Sequence, residues 1–330
     1  MDIISELEKT SGWKFKWLKI DDIHIYYEYI KKSSIPTNEW TSAFPYLWAS
    51  SNYLNILYSI IDNMLVTFRY SSSKNALELT CVPFGFGNPD QVVNVLYKCL
   101  FFCNKWNKNI ESFTCVSMLN EAQLNFLQGS ELFDQYFQFS FYKTKGRNVL
   151  ERHYSISNLL SLSGKDFAYV REAINSMNRK VPNLIIRSYH PNDFDKLLYL
   201  YHQWYEKADE KYYYVSDQVE YCKILQYYTQ LNQIVLVAEL EGDIIGMISG
   251  GILPNNQSWI SFRKTLNNGR GITQALVVKL AKEIHQVNPT VELLNDGTDD
   301  GQEGIIFVKE KFRPVLNLTL HSLFLNNFIV

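Results

Sequence analysis

Residues 233–285 read QIVLVAELEGDIIGMISGGILPNNQSWISFRKTLNNGRGITQALVVKLAKEIH. The apolar runs QIVLVAEL and DIIGMISGGIL flank Glu241-Gly242-Asp243, turn residues that join antiparallel strands. SWISF reads as a third strand. Asn267-Asn268-Gly269-Arg270-Gly271 follows as a glycine-containing loop, and apolar residues then recur at helical spacing from Ile272 to about His285. Downstream, VELLN reads as a strand, EGIIFVKE as a helix and VLNLTLHSLFL as a last strand. Two strands, a third, a glycine loop, a helix, a strand, a helix and a strand define an α+β layer with a mostly antiparallel sheet.

The same order is written once before. NYLNILYSI and MLVTFRY form a hairpin across Asp62-Asn63, and ALELTCV is a strand. PFGFGNPD is dense in turn residues, with Asn88 as helix cap and Pro89 in the first helical position. A helix from Pro89 to about Asn104, the strand SFTCVSM, the helix EAQLNFL and the strand YFQFSFY complete the set. Matching landmarks lie about 180 residues apart: Asp62 and Gly242, Gly87 and Gly271, Phe113 and Val291. The pattern repeats although the sequence does not. Between the halves, GKDFAYVREAINSMNRK reads as a helix, PNLIIRSY as a strand and PNDFDKLLYLYHQWY as a Pro-started helix. Two domains are expected, 1–150 and 151–330, each a mostly antiparallel sheet flanked by helices.

Composition fits that division. The chain has 330 residues, 46% apolar and 20% charged, which is globular rather than disordered. The formal charge is −2, with 14 cations against 14 acids up to Leu150 and 18 against 20 beyond it. Neither half is a basic module of the kind that holds nucleic acid by phosphate neutralisation. The N-terminus carries early acids and no apolar signal segment, and no apolar run is long enough to span a bilayer. A cytoplasmic protein is expected. Five cysteines without a C-x-x-C fit free thiols, and Cys99 and Cys103 fit buried small residues of a helix rather than a metal pair. No metal is expected.

Three features of the second half carry chemistry. The Asn267–Gly271 loop opens a helix, where free N–H groups and the helix dipole favour an anion, and Arg270 adds a bidentate donor. The same residues also suit an ordinary strand-to-helix turn. Arg263 and Lys264 end the preceding strand; alternation sends them to opposite faces, so one can face a cleft while the other is solvated. Asn295-Asp296-Gly297-Thr298-Asp299-Asp300-Gly301 leaves the next strand, and Asp299 or Asp300 could cap the following helix. The segment lacks the ligand series and terminal Glu of a calcium loop. Lys309 lies on that helix, where a solvated lysine is the plain alternative.

Together these residues resemble the C-terminal domain of bacterial phosphatidylglycerol lysyltransferases and the soluble tandem proteins grouped with it, within the GCN5-related N-acetyltransferase (GNAT) superfamily. One block of that family runs F-E-K-A, then R-G, then Q; here Phe262, Lys264, Arg270-Gly271 and Gln274 hold the places. A second block is matched by Asn295, Asp299, Gly301, Gly304, Lys309, Phe312 and Pro314. An upstream block is echoed by Leu162, Gly164, Lys165 and Arg171, and TSAFPYLWAS with PFGFG is similar to the family's first domain. Arg263 replaces the usual Glu, Asp296 and Gly297 stand where Arg and Glu are common, and Ile306 stands for Arg.

The resemblance implies tandem GNAT-like domains, the second one catalytic. It implies transfer of an acyl or aminoacyl group from an activated donor to an amine or hydroxyl of a lipid, peptide or small molecule. The donor would be acyl-CoA, an acyl carrier protein or an aminoacyl-tRNA, the last through a transient contact with its acceptor end; no tightly bound cofactor is implied. Lys264 and Arg270 are expected at the donor phosphates or oxyanion, with Gly269 and Gly271 giving backbone access and Gln274 and Asn295 in the binding set. Asp299 is expected to orient a lysine or the acceptor amine, and Lys309 to pair with Asp299 or bind donor. The alternative is an inactive tandem binding module that holds a peptide or small ligand.

Overall fold

The structure is a computed structural model that describes residues 2–36, 43–108, 114–209, 217–266 and 271–326. It divides into two compact units: residues 1–151 with 318–330, and residues 152–317.

The first unit opens with α1 (Ile3–Ser11), β1 (Phe15–Trp17), α2 (Ile23–Lys31) and α3 (Phe44–Leu54). Asn55 takes a left-handed conformation and stops α3, so β2 (Ile56–Ile61) starts later than NYLNILYSI suggests. β3 (Met64–Ser71) and β4 (Ala76–Leu79) complete an antiparallel sheet in the order β1-β2-β3-β4. Asp62 and Asn63 both have positive φ, the geometry that a two-residue hairpin requires. α4 (Pro89–Trp106) starts as the sequence indicates: the Asn88 side chain accepts from Gln91 N, and Gln91 returns a bond to Asn88 N. Such a capping box satisfies helix-end donors that otherwise stay unpaired. The buried face of α4 presents Val92, Leu96, Cys99 and Cys103 to Leu57, Val66, Phe68 and Leu77 of the sheet. Burial pushes both thiols up, as in structural rather than reactive cysteines. β5 (Cys115–Asn120), α5 (Glu121–Leu127), α6 (Phe133–Tyr136) and β6 (Phe137–Phe141) follow. A short hairpin, β7 (Lys143–Thr144) and β8 (Arg147–Asn148), ends this stretch.

The second unit contains β9 (Leu150–Ser155) from Arg152 onward, α7 (Ile156–Ser161), α8 (Ala168–Lys180), β10 (Ile185–Ser188), α9 (Phe194–Asp209) and α10 (Gln218–Gln226). β11 (Gln233–Leu240), β12 (Asp243–Ile252), β13 (Ser258–Thr265), α11 (Ile272–Val287), β14 (Leu293–Thr298) and α12 (Glu303–Glu310) complete it. Its sheet runs β10-β11-β12-β13-β14-β9. The first four strands are antiparallel, and Glu241-Gly242 form the positive-φ turn between β11 and β12. β13 and β14 are parallel, and their register holds only at Ser258 and Trp259. The two strands part after that, which opens a wedge toward their C-terminal ends. α11 buries Ile272, Leu276, Leu280 and Ile284 against Leu236, Ile248 and Ile260 of the sheet.

The last strand, β15 (Leu316–Leu325), starts in the second unit. From Leu318 onward it belongs to the first unit, not to the second. It pairs antiparallel with β5 (Leu320 with Asn120) and with β6 (Phe141 with His321). Its buried Leu323 joins the apolar Val116 and Leu119 in one core cluster there. Partner choice follows the complementary apolar edge rather than nearness in sequence. Among the described residues no helix is long and apolar enough to cross a membrane.

Candidate active site at the ends of β13 and β14

A bulge sets the site. Ser249 of β12 pairs with Phe262 while Gly250 pairs with Ile260, so Ser261 is one residue extra in β13. Its hydroxyl bonds Ser249 Oγ at 2.7 Å. The extra residue switches the side-chain alternation, as bulges do beside functional sites. Ile260 packs with α11, whereas Phe262 and Lys264 turn toward Tyr201 and Tyr221 of α9 and α10.

Lys264 is buried, with 2% of its surface exposed. Its ammonium donates to Asp217 Oδ2 at 2.8 Å and lies 3.6 Å from the Trp204 ring centroid and 4.8 Å from that of Tyr201. Tyr201 also donates its hydroxyl to Asp217 Oδ1 at 2.9 Å. Aromatic faces and one carboxylate replace the water lost on burial. Burial pushes Lys264 below the ordinary lysine range, against the opposing pull of Asp217. The lysine expected at donor phosphates thus sits inside an aromatic cage in this conformation.

Arg263 points the other way, as strand alternation requires. It donates to Asp296 Oδ2 at 3.2 Å across the wedge between β13 and β14. The same oxygen accepts from the buried Tyr154 hydroxyl at 2.6 Å, and burial raises that phenol well above its usual range. Lys309 donates to the carbonyls of Asp296 and Thr298, the latter at 2.7 Å, and its ammonium is 3.8 Å from Asp296 Oδ2. Burial lowers the Lys309 value, and Asp296 opposes this.

The expected Lys309–Asp299 pair is therefore corrected: Lys309 clamps the strand-end backbone to α12. Asp299, 1% exposed, instead accepts from Arg152 Nη2 at 2.8 Å and Nε at 3.0 Å. Asp299 Oδ1 accepts from Gly301 N at 3.1 Å, and Gln302 rather than Asp299 or Asp300 holds the cap position of α12. Asn295 is buried, and its Oδ1 accepts from Gly297 N at 2.7 Å, which shapes the turn.

Gly271 occupies the cap position of α11 with φ +114° and has no side chain to offer the helix start. A Cβ there would overlap the Ala173 carbonyl oxygen of α8 and lie 2.9 Å from Met177 Cβ. Only glycine lets the two helices approach so closely. Gln274 is buried in the first turn. Gly269 and Arg270 lie outside the described residues. Asp217, Trp204, Tyr201, Arg152 and Tyr154 join the site unforeseen. Their partners lie far along the chain, and the only local signal was the aromatic density of YLYHQWY.

The two units and the parting of β13 from β14 define the class: an α+β protein of tandem GNAT type. The family described as "Phosphatidylglycerol lysyltransferase, C-terminal" matches residues 41–296, and the chain belongs to it. No curated protein matches the sequence. Solved structures share the fold. A conserved protein of unknown function from Bacteroides thetaiotaomicron VPI-5482 has TM-score 0.79 at 18% identity, covering 94% of this chain and 99% of its own. L-PGS from Bacillus licheniformis has TM-score 0.63 at 13% identity over 93% and 92%. A tandem GNAT protein from the clavulanic acid biosynthesis pathway has TM-score 0.54 at 7% identity over 95% and 98%.

Proposed function

We propose that the second unit transfers an acyl or aminoacyl group from an activated donor to an amine or hydroxyl. One contrast carries the reading. In the first unit, α4 and α5 close their own starts with Asn88–Gln91 and Asn120–Gln123 capping boxes. In the second unit, α11 begins at a bare glycine beside the β13 end that carries Lys264. Helix-start N–H groups to which the Gly271 cap position offers no side chain suit the anionic part of a donor. Gly269, Arg270 and Gly271 would make that seat, with Gln274 and Asn295 behind it.

Lys264 would supply positive charge to the oxyanion that develops as the acceptor attacks. Asp217 and Tyr201 would hold it ready, and Arg152–Asp299 and Lys309 would keep the end of β14 fixed. Family membership favours an aminoacyl donor, and the acceptor is a lipid, peptide or small amine or alcohol. Unfolding temperature measured with CoA, acyl carrier protein and charged tRNA separates the donors, because a ligand of the native state raises it. With the donor in hand, Lys264→Ala is expected to lower kcat by ~10²–10³, the scale of one lost oxyanion donor. Unchanged turnover in that variant, or a stably bound partner with no transfer from any donor, would sink the reading.

A further inference from the structure

Away from this site, one strand of the first unit presents aromatic rings beside a run of cations. Phe137, Phe139 and Phe141 of β6 share a face, because every second residue of a strand does. Phe137 is buried against Phe133 of α6, at 5.8 Å between ring centroids. The next two emerge: Phe139 is 43% exposed and Phe141 53%. Both rings rest on His321 of β15, at centroid distances of 5.8 and 5.2 Å. His321 is itself buried, and desolvation lowers its value against the opposing pull of Glu121. The exposed rings stand about 6.8 Å apart along the strand, two residues of ~3.4 Å each.

The chain then enters the β7–β8 hairpin, turning at Lys145 and Gly146, both with positive φ. Tyr142 N donates to Leu320 O and Val149 N to Tyr142 O, which pins the hairpin base to the sheet. Lys143 and Lys145 are exposed, Arg147 adds a third positive charge, and residues 135–150 contain no acid. In a half with equal numbers of cations and acids, this is local clustering.

We infer that the β6 face and the β7–β8 hairpin form a binding site for single-stranded RNA. Bases would stack on Phe139 and Phe141, and the phosphates would run past Lys143 and Lys145. Aromatic residues two apart on a sheet face with flanking cations are suited to splayed bases. The arrangement argues against insertion into a bilayer, which calls for apolar residues leading and cations behind. Here the hairpin tip is Lys145-Gly146, and the rings lie behind it on the sheet. The inference does not depend on the transfer reaction.

The test is fluorescence anisotropy of a short labelled oligo(U) with the full chain across a salt series. Binding is expected, with affinity reduced about 5- to 150-fold by Phe141→Ala, the scale of one lost stacking partner. Phe141→Leu keeps an apolar side chain on the sheet and should weaken binding as well, which guards against simple misfolding. Lys143→Gln with Lys145→Gln should reduce the salt slope by about 1.4, or ~0.7 for each phosphate contact. No binding at low salt, binding indifferent to both Phe141 variants, or capture by phosphatidylglycerol vesicles in place of RNA would overturn the inference.

Discussion

Replacing Asp299 by alanine tests whether this residue is a structural anchor. Its carboxylate is 1% exposed and Arg152 5%. The guanidinium spends Nε and Nη2 on Asp299, while among the described residues Nη1 reaches Asn317 Oδ1 at 3.4 Å and Glu310 at 3.9 Å. Removing the carboxylate leaves an almost dry cation with two unpaired donors, a change that costs about 3–5 kcal/mol. The Gly301 N–H loses its acceptor as well. For a unit of this size each kcal/mol moves the unfolding temperature by roughly 2–4 °C, so Asp299→Ala should lower it by about 6–20 °C. Thermal unfolding followed by circular dichroism reads this directly. Arg152→Met combined with Asp299→Leu removes both charges and should recover much of the loss. A single variant that unfolds within a degree or two of the parent, yet has lost transfer, would refute the argument and make Asp299 a group that acts on substrate.

Two other residues give measurable outcomes. Gly271→Ala combines a backbone strain of about 1–3 kcal/mol with overlap on the Ala173 carbonyl; chemical denaturation should show a loss of at least about 2 kcal/mol, and a loss near zero would mean that α8 and α11 can part freely. Asp193 is held below the usual carboxylate range first by its hydrogen bonds from Arg187, at 2.6 and 2.9 Å. Because its folded value is depressed, its contribution is complete above about pH 4 and disappears as pH falls through the folded value. Between pH 5 and 2 the parent should lose more stability than Asp193→Asn, and equal slopes in urea titrations would refute the link.

Local pattern carried the elements that announce themselves. EAQLNFL and EGIIFVKE are helices at the residues read from the sequence, and the Asp62-Asn63 and Glu241-Gly242 turns follow from residue types that tolerate positive φ. The GNAT architecture was legible because two hairpins, two loops and two helices recur in one order. Three things were not legible. The destination of β15 depends on which edge is apolar and open, a long-range property. The orientation of Lys264 depends on one extra residue at Ser261, which alternation alone does not reveal. Asp299 read as a helix cap or a group that orients an amine, whereas Arg152, remote in sequence, holds it, and Tyr154, equally remote, holds Asp296.

The path of the last strand sets an order of events during synthesis. The second unit is complete once Asn317 has been made, whereas the first still lacks the strand that pairs with β5 and β6. Domains tend to fold as units while the chain lengthens. In this chain the N-terminal unit is made first and finishes last. Val116, Leu119 and Phe137 stay short of their partner Leu323 through the whole of that interval. Removing residues after 317 would therefore spare the half that carries the candidate chemistry and leave the other half with an open, apolar edge, the form most prone to pairing with another chain.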